Sequence, residues 1–272
     1  MSPTVAEITA VAETLWPVAG AEEWDAVGLV SGAPDADVTH LHLTVDAVID
    51  TAREAVEVGA ELLLAHHPLL LRGVTSIAED RYKGAVLSTL VRGGCALLTA
   101  HTNADVVETG TSAIFADKLG LLERRAIVTG ESPTSGVGAI GRLAEPMSLG
   151  RLARLVGELL PATAGGIRVA GEYDSPVSTV ALVAGAGDAY LREPEVLAAD
   201  VFITSDLRHH PASAARDDAF AGGGPALIDV SHWASEWLWL ETAAEQLRNA
   251  LPGLIVTVSE LRTDPWDFVI VQ

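Results

Sequence analysis

Two adjacent histidines, His66 and His67, close an apolar run and are followed immediately by Pro68. The run at 62–71 reads LLLAHHPLLL, which predicts a buried strand with both histidines at its carboxyl end. In parallel α/β sheets, ligands and catalytic groups collect at that end of the strands. Successive side chains of a strand point to opposite faces, so two diverging imidazoles suit two metal ions better than one. The alternative is a pair of loop histidines that make ordinary hydrogen bonds.

Residue types that bind metals recur after two later strands. Asp105 follows the buried strand predicted at 95–100, CALLTA, and His232 follows the strand that precedes SHWASEW. If a helix begins at Ser231 or His232, then His232 and Glu236 are four residues apart and share one face. Each residue also has a simpler interpretation, because Asp105 could cap the following turn and His232 with Glu236 could be an exposed helical pair.

The three strand ends together supply only nitrogen and oxygen ligands. Such a set suits Zn, Mn, Fe, Co or Ni and argues against a thiolate site. Three imidazoles and two carboxylates exceed what one catalytic metal with an open position requires. We therefore expect two divalent transition-metal ions per chain that share a bridging carboxylate and a bridging water, the latter a nucleophile near neutral pH. The predicted metal ligands are His66, His67, Asp105, His232 and Glu236.

The elements that must position these residues alternate between helix and strand. Alternating apolar residues predict a strand that ends at Asp46, and helical periodicity predicts helices at 47–58 and 82–92. For the first helix of the chain, Ser2 and Pro3 have the residue types of an N-cap and a first helical position. This order of elements indicates right-handed crossovers. We therefore predict an α/β fold with mixed, largely parallel sheets flanked by helices.

The length of 272 residues is comfortable for two domains of ordinary size. The stretch at 129–136, TGESPTSG, has turn-forming residues and no periodicity, so we place a domain boundary there. We expect an N-terminal α/β domain at 1–128 that carries the His-His and Asp ligands. The second α/β region would span 129–272, and its last part, from about 225 onward, would return to complete the metal site.

The composition excludes several classes of partner. The formal net charge is −20 at pH 7. Nucleic acids and anionic membranes are both bound mainly through Lys and Arg, so we expect neither as a partner. Cys95 is the only cysteine, which excludes a disulfide framework and a thiolate zinc site. The N-terminal segment is acidic where a signal peptide is basic, and no apolar stretch reaches the length of a membrane span, so we expect a cytoplasmic protein.

Four segments of the chain read WDAVGLVSG, AHHPLLLRGVTSI, HTNADVVETGTS and DVSHWASEW, in that order. Together they resemble the signature segments of the NIF-three-like dinuclear-metal family, some of whose members are known as type-two GTP cyclohydrolase I homologues. Position by position, the resemblance implies the same metal ligands that the chemistry selects, namely His66, His67, Asp105, His232 and Glu236. The segment TSDLRHH resembles the family segment that brings a further histidine near the site, so His210 is a secondary candidate. His101 is another, and the role of His209 stays open.

The same resemblance implies an assembly. It implies a homo-hexameric toroid of two-domain α/β subunits whose metal sites face an inner cavity. Some longer relatives carry an inserted domain between the halves, and the short stretch at 129–136 leaves no room for one.

The leading functional hypothesis is a metal-dependent hydrolase of the cyclohydrolase type that acts on a small molecule. Water attack on a polarised carbonyl, phosphoryl or amidine-like carbon is the chemistry that two metals support, and GTP ring opening is one member of that class. The alternative is a non-catalytic metal-binding, metallochaperone or regulatory protein. No Gly-x-x-x-x-Gly-Lys phosphate loop is present, so the cyclohydrolase hypothesis follows from the resemblance and not from a nucleotide-binding motif.

Overall fold

The computed structural model describes residues 2–132 and 134–271. The helices are α1 (Val5–Leu15), α2 (Ile49–Glu57), α3 (Tyr82–Arg92), α4 (Thr102–Asp105), α5 (Thr111–Lys118), α6 (Leu149–Leu159), α7 (Pro194–Leu197), α8 (His209–Phe220) and α9 (His232–Ala250). The strands are β1 (Gly28–Ser31), β2 (His40–Thr44), β3 (Leu62–Ala65), β4 (Ala96–Thr99), β5 (Leu122–Arg125), β6 (Val128–Thr129), β7 (Gly136–Val137), β8 (Ala139–Ser148), β9 (Arg168–Ala170), β10 (Pro176–Ala186), β11 (Val201–Ser205), β12 (Ala226–Val230) and β13 (Ile255–Val258). The predicted α/β class is confirmed, with two larger mixed sheets flanked by helices.

The chain divides into two compact units. The first comprises Met1–Ala104 with Leu240–Thr263, and the second comprises Asp105–Trp239 with Asp264–Gln272. These bounds differ from a division at 129, because α5 packs against β8 and β10 of the second unit. The chain returns to the first unit through β13, which pairs in parallel with β2.

The sheet of the first unit has the strand order β1-β4-β3-β2-β13. The pairs that join β13, β2, β3 and β4 are all parallel, and only the pairing of β1 with β4 is antiparallel. Leu62, Leu63 and Leu64 of the central strand are fully buried, which explains the continuous apolar run in the sequence. Because β2, β3 and β4 run in one direction, their carboxyl ends meet at one edge of the sheet.

The edge strand β1 lies within the segment WDAVGLVSG, for which periodicity made no prediction. All of its residues are only partly buried, so the strand lacks the apolar alternation that would identify it. Its register shifts between Leu29 and Ser31. Gly32 has φ +114 and approaches Ala96 so closely that a Cβ atom at this position would lie 2.4 Å from that of Ala96. A glycine is therefore needed at position 32 for this close approach of two backbones.

The first helix begins two residues later than Ser2 and Pro3 suggest. Thr4 is the N-cap of α1, its hydroxyl accepts from the backbone N–H of Glu7, and the Glu7 carboxylate accepts from the N–H of Thr4. These two reciprocal hydrogen bonds form a capping box, which satisfies two backbone N–H groups that have no acceptor within the helix. Pro3 lies outside the helix, where its carbonyl accepts from Val38. The prediction of Ser2 as N-cap was therefore wrong.

The sheet of the second unit has the strand order β5-β8-β10-β11-β12-β9. Only its centre, β10 with β11 and β11 with β12, is parallel, and the outer pairs are antiparallel. The carboxyl end of β11 leads to Asp206, and that of β12 leads to the start of α9 at His232. The helices of the described residues include none with the length and apolar character that crossing a bilayer requires.

Candidate metal centre

Three histidines of the first unit converge at the carboxyl edge of its sheet. His66 and His67 follow β3, and His101 follows β4. The ring centroids lie 5.1 Å apart for His66 and His67, 5.2 Å for His66 and His101, and 5.5 Å for His67 and His101. One nitrogen of each ring lies within 4.8 Å of the others. We call this group the imidazole triad.

The hydrogen bonds of the triad orient all three rings through the same atom. Nδ1 of His66 lies 2.9 Å from the carbonyl oxygen of Ala100. Nδ1 of His67 lies 2.7 Å from Asp46 Oδ1, and Nδ1 of His101 lies 2.9 Å from Asp25 Oδ1. A carbonyl oxygen can only accept, so Nδ1 of His66 is the protonated nitrogen and Nε2 carries the lone pair. A histidine that binds a metal is oriented in this way by an acceptor on its other nitrogen.

The two carboxylates behind the triad are themselves held in place. Asp25 accepts from the backbone N–H of Thr102 at 3.0 Å and from the Thr102 hydroxyl. Burial by itself would raise the pKa of Asp25, but the hydrogen bonds from Thr102 and His101 outweigh it and hold the pKa below its ordinary value. Asp46 accepts from the hydroxyl of Thr263. Both acids are therefore fixed acceptors.

In the second unit, His232 and Glu236 share one face of the first turns of α9, as their spacing predicts. His232 Nε2 lies 3.0 Å from Glu236 Oε1, and its Nδ1 lies 2.8 Å from Asp206 Oδ2. Burial alone would lower the pKa of His232, but Glu236 and Asp206 outweigh it and raise the pKa. We call His232 and Glu236 the His–Glu pair. Two carboxylates beside one imidazole make this position favourable for a cation.

The backbone around the His–Glu pair is specialised. Asp206 has φ +56, a left-handed conformation that an ordinary side chain rarely adopts. Such strain persists where the surrounding structure enforces it, often at functional sites. Gly185 also has a positive φ of +73, and a Cβ atom there would lie 2.3 Å from Glu236 Oε1. Its N–H donates to Ser235 Oγ at 2.9 Å. Gly185 thus leaves the space that the Glu236 carboxylate occupies.

Asp105 lies at the end of α4, and its Oδ1 accepts from the hydroxyl of Thr111 at 2.6 Å. Thr111 is the first residue of α5, so the bond joins two consecutive helices. One oxygen of Asp105 therefore caps the turn between α4 and α5, as the simpler interpretation of this residue predicts. This bond also orients the carboxylate, as hydrogen bonds do for carboxylate ligands of metals.

The remaining histidines of the chain have other surroundings. His209 and His210 form the exposed start of α8, with ring centroids 5.1 Å apart. His42 is buried and bonds to Thr257 and Glu54, and His40 bonds to Thr257. These contacts within the first unit tie β2 to β13 and α2. They are structural.

Sequence reasoning did not identify the acids that orient the histidines. Asp46 and Asp206 each follow the carboxyl end of a parallel strand, and Asp25 precedes β1. The position of Asp46 at a predicted strand end was an available signal, since polar residues there line the same edge as the neighbouring strand ends. His101, only a secondary candidate from the sequence, is a full member of the imidazole triad.

The donor chemistry of both clusters fits divalent transition metals. The triad supplies imidazole nitrogens, and the His–Glu pair supplies a nitrogen and a carboxylate oxygen. Borderline ions such as Zn, Mn, Fe, Co and Ni take these ligands, and oriented Nδ1–H groups are the expected surroundings.

Comparisons with known proteins converge on one family. The family model of Duf34/NIF3 (NGG1p interacting factor 3) matches residues 3–265. A Streptomyces coelicolor protein named GTP cyclohydrolase 1 type 2 homolog is 44% identical over 271 residues, which cover 97% of this chain and 94% of that protein. A Mycobacterium tuberculosis protein of the same name is 32% identical, with coverage of 98% and 97%. The crystal structure of a Bacillus cereus protein related to NIF3 has a TM-score of 0.89 at 23% identity, covers 99% of this chain and 100% of that one, and shows the fold alone.

Proposed function

Because the chain belongs to the Duf34/NIF3 family, we propose that it is a dinuclear metal protein and a metal-dependent hydrolase. The observation that carries the proposal is the imidazole triad, in which one nitrogen of each ring lies within 4.8 Å of the others and each ring is held through Nδ1. The proposed ligands are His66, His67, Asp105, His232 and Glu236, with His101 beside them.

Two bound divalent ions would supply a Lewis acid for a substrate oxygen and a water of lowered pKa. Three acids of the chain would orient the histidines that face these ions. Asp46 and Asp206 hold His67 and His232 in one orientation. Asp25 does the same for His101.

A protein nucleophile is not required for this chemistry. Burial raises the pKa of Cys95 to about 12, so its thiolate is scarce at neutral pH. Ser235 is fully buried, and its hydroxyl is engaged by the carbonyl of His232 and the N–H of Gly185. Neither side chain is placed for attack on a substrate, so the nucleophile in this proposal is water.

The substrate that we propose is small and carries a hydrolysable carbon–nitrogen or phosphoester bond. Curated relatives are named GTP cyclohydrolase 1 type 2 homolog, and ring opening of GTP is the specific reaction that their name suggests. Trp24 supports a flat ring as part of the substrate. Its indole is 58% exposed and meets the ring of His101 at 5.9 Å in an edge-on contact. An exposed aromatic face beside metal ligands is suited to stacking on a heterocycle.

A non-catalytic metal carrier or regulatory protein is the second candidate. His67 is 25% exposed and His101 is 15% exposed, so ions bound there could exchange with solution. The same exposure would also admit a substrate. Turnover, and not metal content, separates the two functions.

Metal content is tested first. After metal-replete preparation, elemental analysis of the wild type should give about two transition-metal equivalents per chain, and Glu236→Ala and Asp105→Ala should lose them. His210→Ala is the matched control, because His210 is exposed at the start of α8. A wild-type protein with no bound metal would refute the centre.

The reaction is tested next with the metal-loaded protein. Nucleotides, phosphoesters and cyclic amides are screened with Mn, Zn, Fe or Co, and the wild type should turn over one class far faster than the Glu236→Ala variant. If the loaded wild type shows no turnover above that variant but releases metal reversibly, the carrier function replaces the hydrolase.

We also propose that the protein is a cytoplasmic homo-hexamer. The support is family membership and a composition with one buried cysteine. Sedimentation velocity at micromolar concentration should show a single species of hexameric mass, and a stable monomer would refute this assembly.

A further inference from the structure

We infer that a cavity of the second unit binds a small anionic ligand, a phosphate carried on a flat apolar body. The cavity has a volume of about 400 Å³ and lies between α8 and the edge formed by β9 and β12. That volume is within the range of small-molecule sites. The chemistry of its lining indicates the class of ligand.

The floor of the cavity is apolar. Ala170 pairs with Leu227 across β9 and β12, and Leu207 adds a third apolar side chain. Leu227 belongs to the core of the second unit, against which Ala170 and Leu207 pack. A flat apolar body could lie on this floor and lose contact with water.

The rim of the cavity is cationic. Arg216 and His209 enter it from α8, together with Ser213, at spacings that put all three on one helix face. Arg168 enters from β9. Two guanidinium groups around one opening stand out in a chain with a net charge of −20. Guanidinium groups bind phosphate through paired hydrogen bonds, which makes a phosphate the best-fitting head group.

One carboxylate also lines the cavity, and its charge is already balanced. Asp229 is paired with Arg168 across the strands, and its other oxygen accepts from the N–H of Leu207 at 3.1 Å. The Arg168 side chain remains 69% exposed despite this pair, so it can still contact a ligand. Arg216 stacks on Phe220, with its guanidinium carbon 5.2 Å from the ring centroid, which orients the guanidinium. One positive charge therefore remains in excess without counting His209.

The proposal is tested by calorimetric titration of the metal-loaded protein with phenyl phosphate, which combines a flat ring and a phosphate. Inorganic phosphate and phenol are its two halves, and phenyl phosphate should bind more tightly than either. Binding should weaken with added salt, because the rim is exposed to solvent.

Two variants with matched controls locate the site. Ser213→Asp places a negative charge on the rim and should weaken phenyl phosphate binding by about tenfold or more. Ala214→Asp adds the same charge one residue along α8, outside the cavity, and should bind as the wild type does. Arg216→Gln should also weaken binding by about tenfold, whereas Arg151→Gln, on the exposed face of α6, should not.

Two results would overturn the proposal. One is no heat of binding for phenyl phosphate at millimolar concentration. The other is phenyl phosphate binding that neither Ser213→Asp nor Arg216→Gln weakens. If such binding also disappears when the metal is removed, the ligand binds at the metal centre. Circular dichroism and thermal unfolding of each variant separate loss of the site from loss of the fold. Because phenyl phosphate is itself a phosphoester, the titration is repeated on the Glu236→Ala variant, in which the proposed hydrolysis is lost, and this separates the heat of binding from the heat of hydrolysis.

Discussion

The imidazole triad and the His–Glu pair hold their rings by different means. In the triad, each ring is fixed by one acceptor behind it, and the ring of His66 uses an uncharged carbonyl oxygen. In the His–Glu pair, the ring of His232 lies between two carboxylates, Asp206 and Glu236. His67 and His101 each face one carboxylate, so the triad has at most one negative charge behind each ring. In the His–Glu pair, two carboxylates contact the same ring.

The secondary structure explains this difference. Three parallel strands bring the triad and the acceptors of His66 and His67 to one edge, so direction comes from the sheet itself. The His–Glu pair stands on the first turns of a helix and relies on Asp206, whose backbone is held at φ +56. We expect metal binding at the triad to be lost when a ring loses its orientation. Metal binding at the His–Glu pair should be lost when a negative charge is removed.

The largest expected effect is the removal of a carboxylate ligand. Glu236→Ala and Asp105→Ala should each weaken metal binding by more than about 100-fold, beyond the loss typical of an orienting residue. Metal titration monitored by elemental analysis measures this, with His210→Ala as the control that should change nothing. Equal losses at all three positions would mean that the ligands are wrongly assigned.

The next largest effect tests whether the acid beside each histidine supports metal binding by orienting the ring or by its negative charge. Asp46→Ala should weaken metal binding by about 10- to 100-fold, and Asp46→Asn should restore most of it, because an amide oxygen still accepts from His67 Nδ1. Asp206→Asn should not restore binding relative to Asp206→Ala, since there the charge is what matters. Asparagine also tolerates a positive φ, so the backbone at 206 is preserved.

The comparison fails if the two positions respond alike. Rescue by asparagine at both would mean that His232 needs only an acceptor, and rescue at neither would mean that His67 needs a charge. Asp50→Asn is the control, because Asp50 is 79% exposed on α2 and lies outside both clusters.

A smaller effect is expected at Gly185, which touches the His–Glu pair without being a ligand. Gly185→Ala forces a Cβ atom toward the Glu236 carboxylate and should lower metal affinity. Gly222 also has a positive φ, +88, but nothing lies within 4 Å of its added Cβ. Both alanine variants should lose about 1–2 kcal/mol of unfolding free energy from backbone strain. Only Gly185→Ala should bind metal less tightly. Weaker metal binding in both alanine variants would mean that backbone strain alone causes the effect.

The sequence predicts the strands of the triad and brings out two of its histidines, His66 and His67, but it does not identify the acids that orient the rings. The apolar runs before His66 and at 95–100 identify β3 and β4, because strands buried on both faces are continuously apolar. The bounds of α3 match the prediction at 82–92. Strand β1 escapes prediction because its residues are half-buried and its register is irregular.

The supporting acids could not be paired with their histidines from the sequence. Asp46 precedes His67 by 21 residues, and Asp25 precedes His101 by 76, so only the strand order joins them. The N-cap shows the same limit at short range. Ser2 and Thr4 both have capping side chains, and the choice of Thr4 depends on Glu7 and on the pairing of Pro3 with Val38.

The smallest effect on metal binding is expected at Trp24, whose ring meets the edge of His101. Trp24→Ala removes no ligand and leaves the bond from His101 to Asp25 in place, so metal content should not change. If the indole stacks on a substrate, its loss should raise KM by about tenfold, as the loss of one base–aromatic stack does. The value of kcat should change less, because the ligands remain.

Trp24→Phe tests whether stacking is the cause. Phenylalanine keeps a smaller aromatic face and should recover part of the lost affinity for a heterocyclic substrate. Steady-state kinetics on whichever substrate the screen identifies, with metal content measured on the same samples, gives both quantities. A Trp24→Ala variant that loses metal would make the indole a support of the triad, and one with unchanged KM would place the substrate elsewhere. The exposed indole lies beside the triad. Loss of metal from Trp24→Ala would therefore mean that the indole, a fourth ring, also helps to orient the three imidazoles.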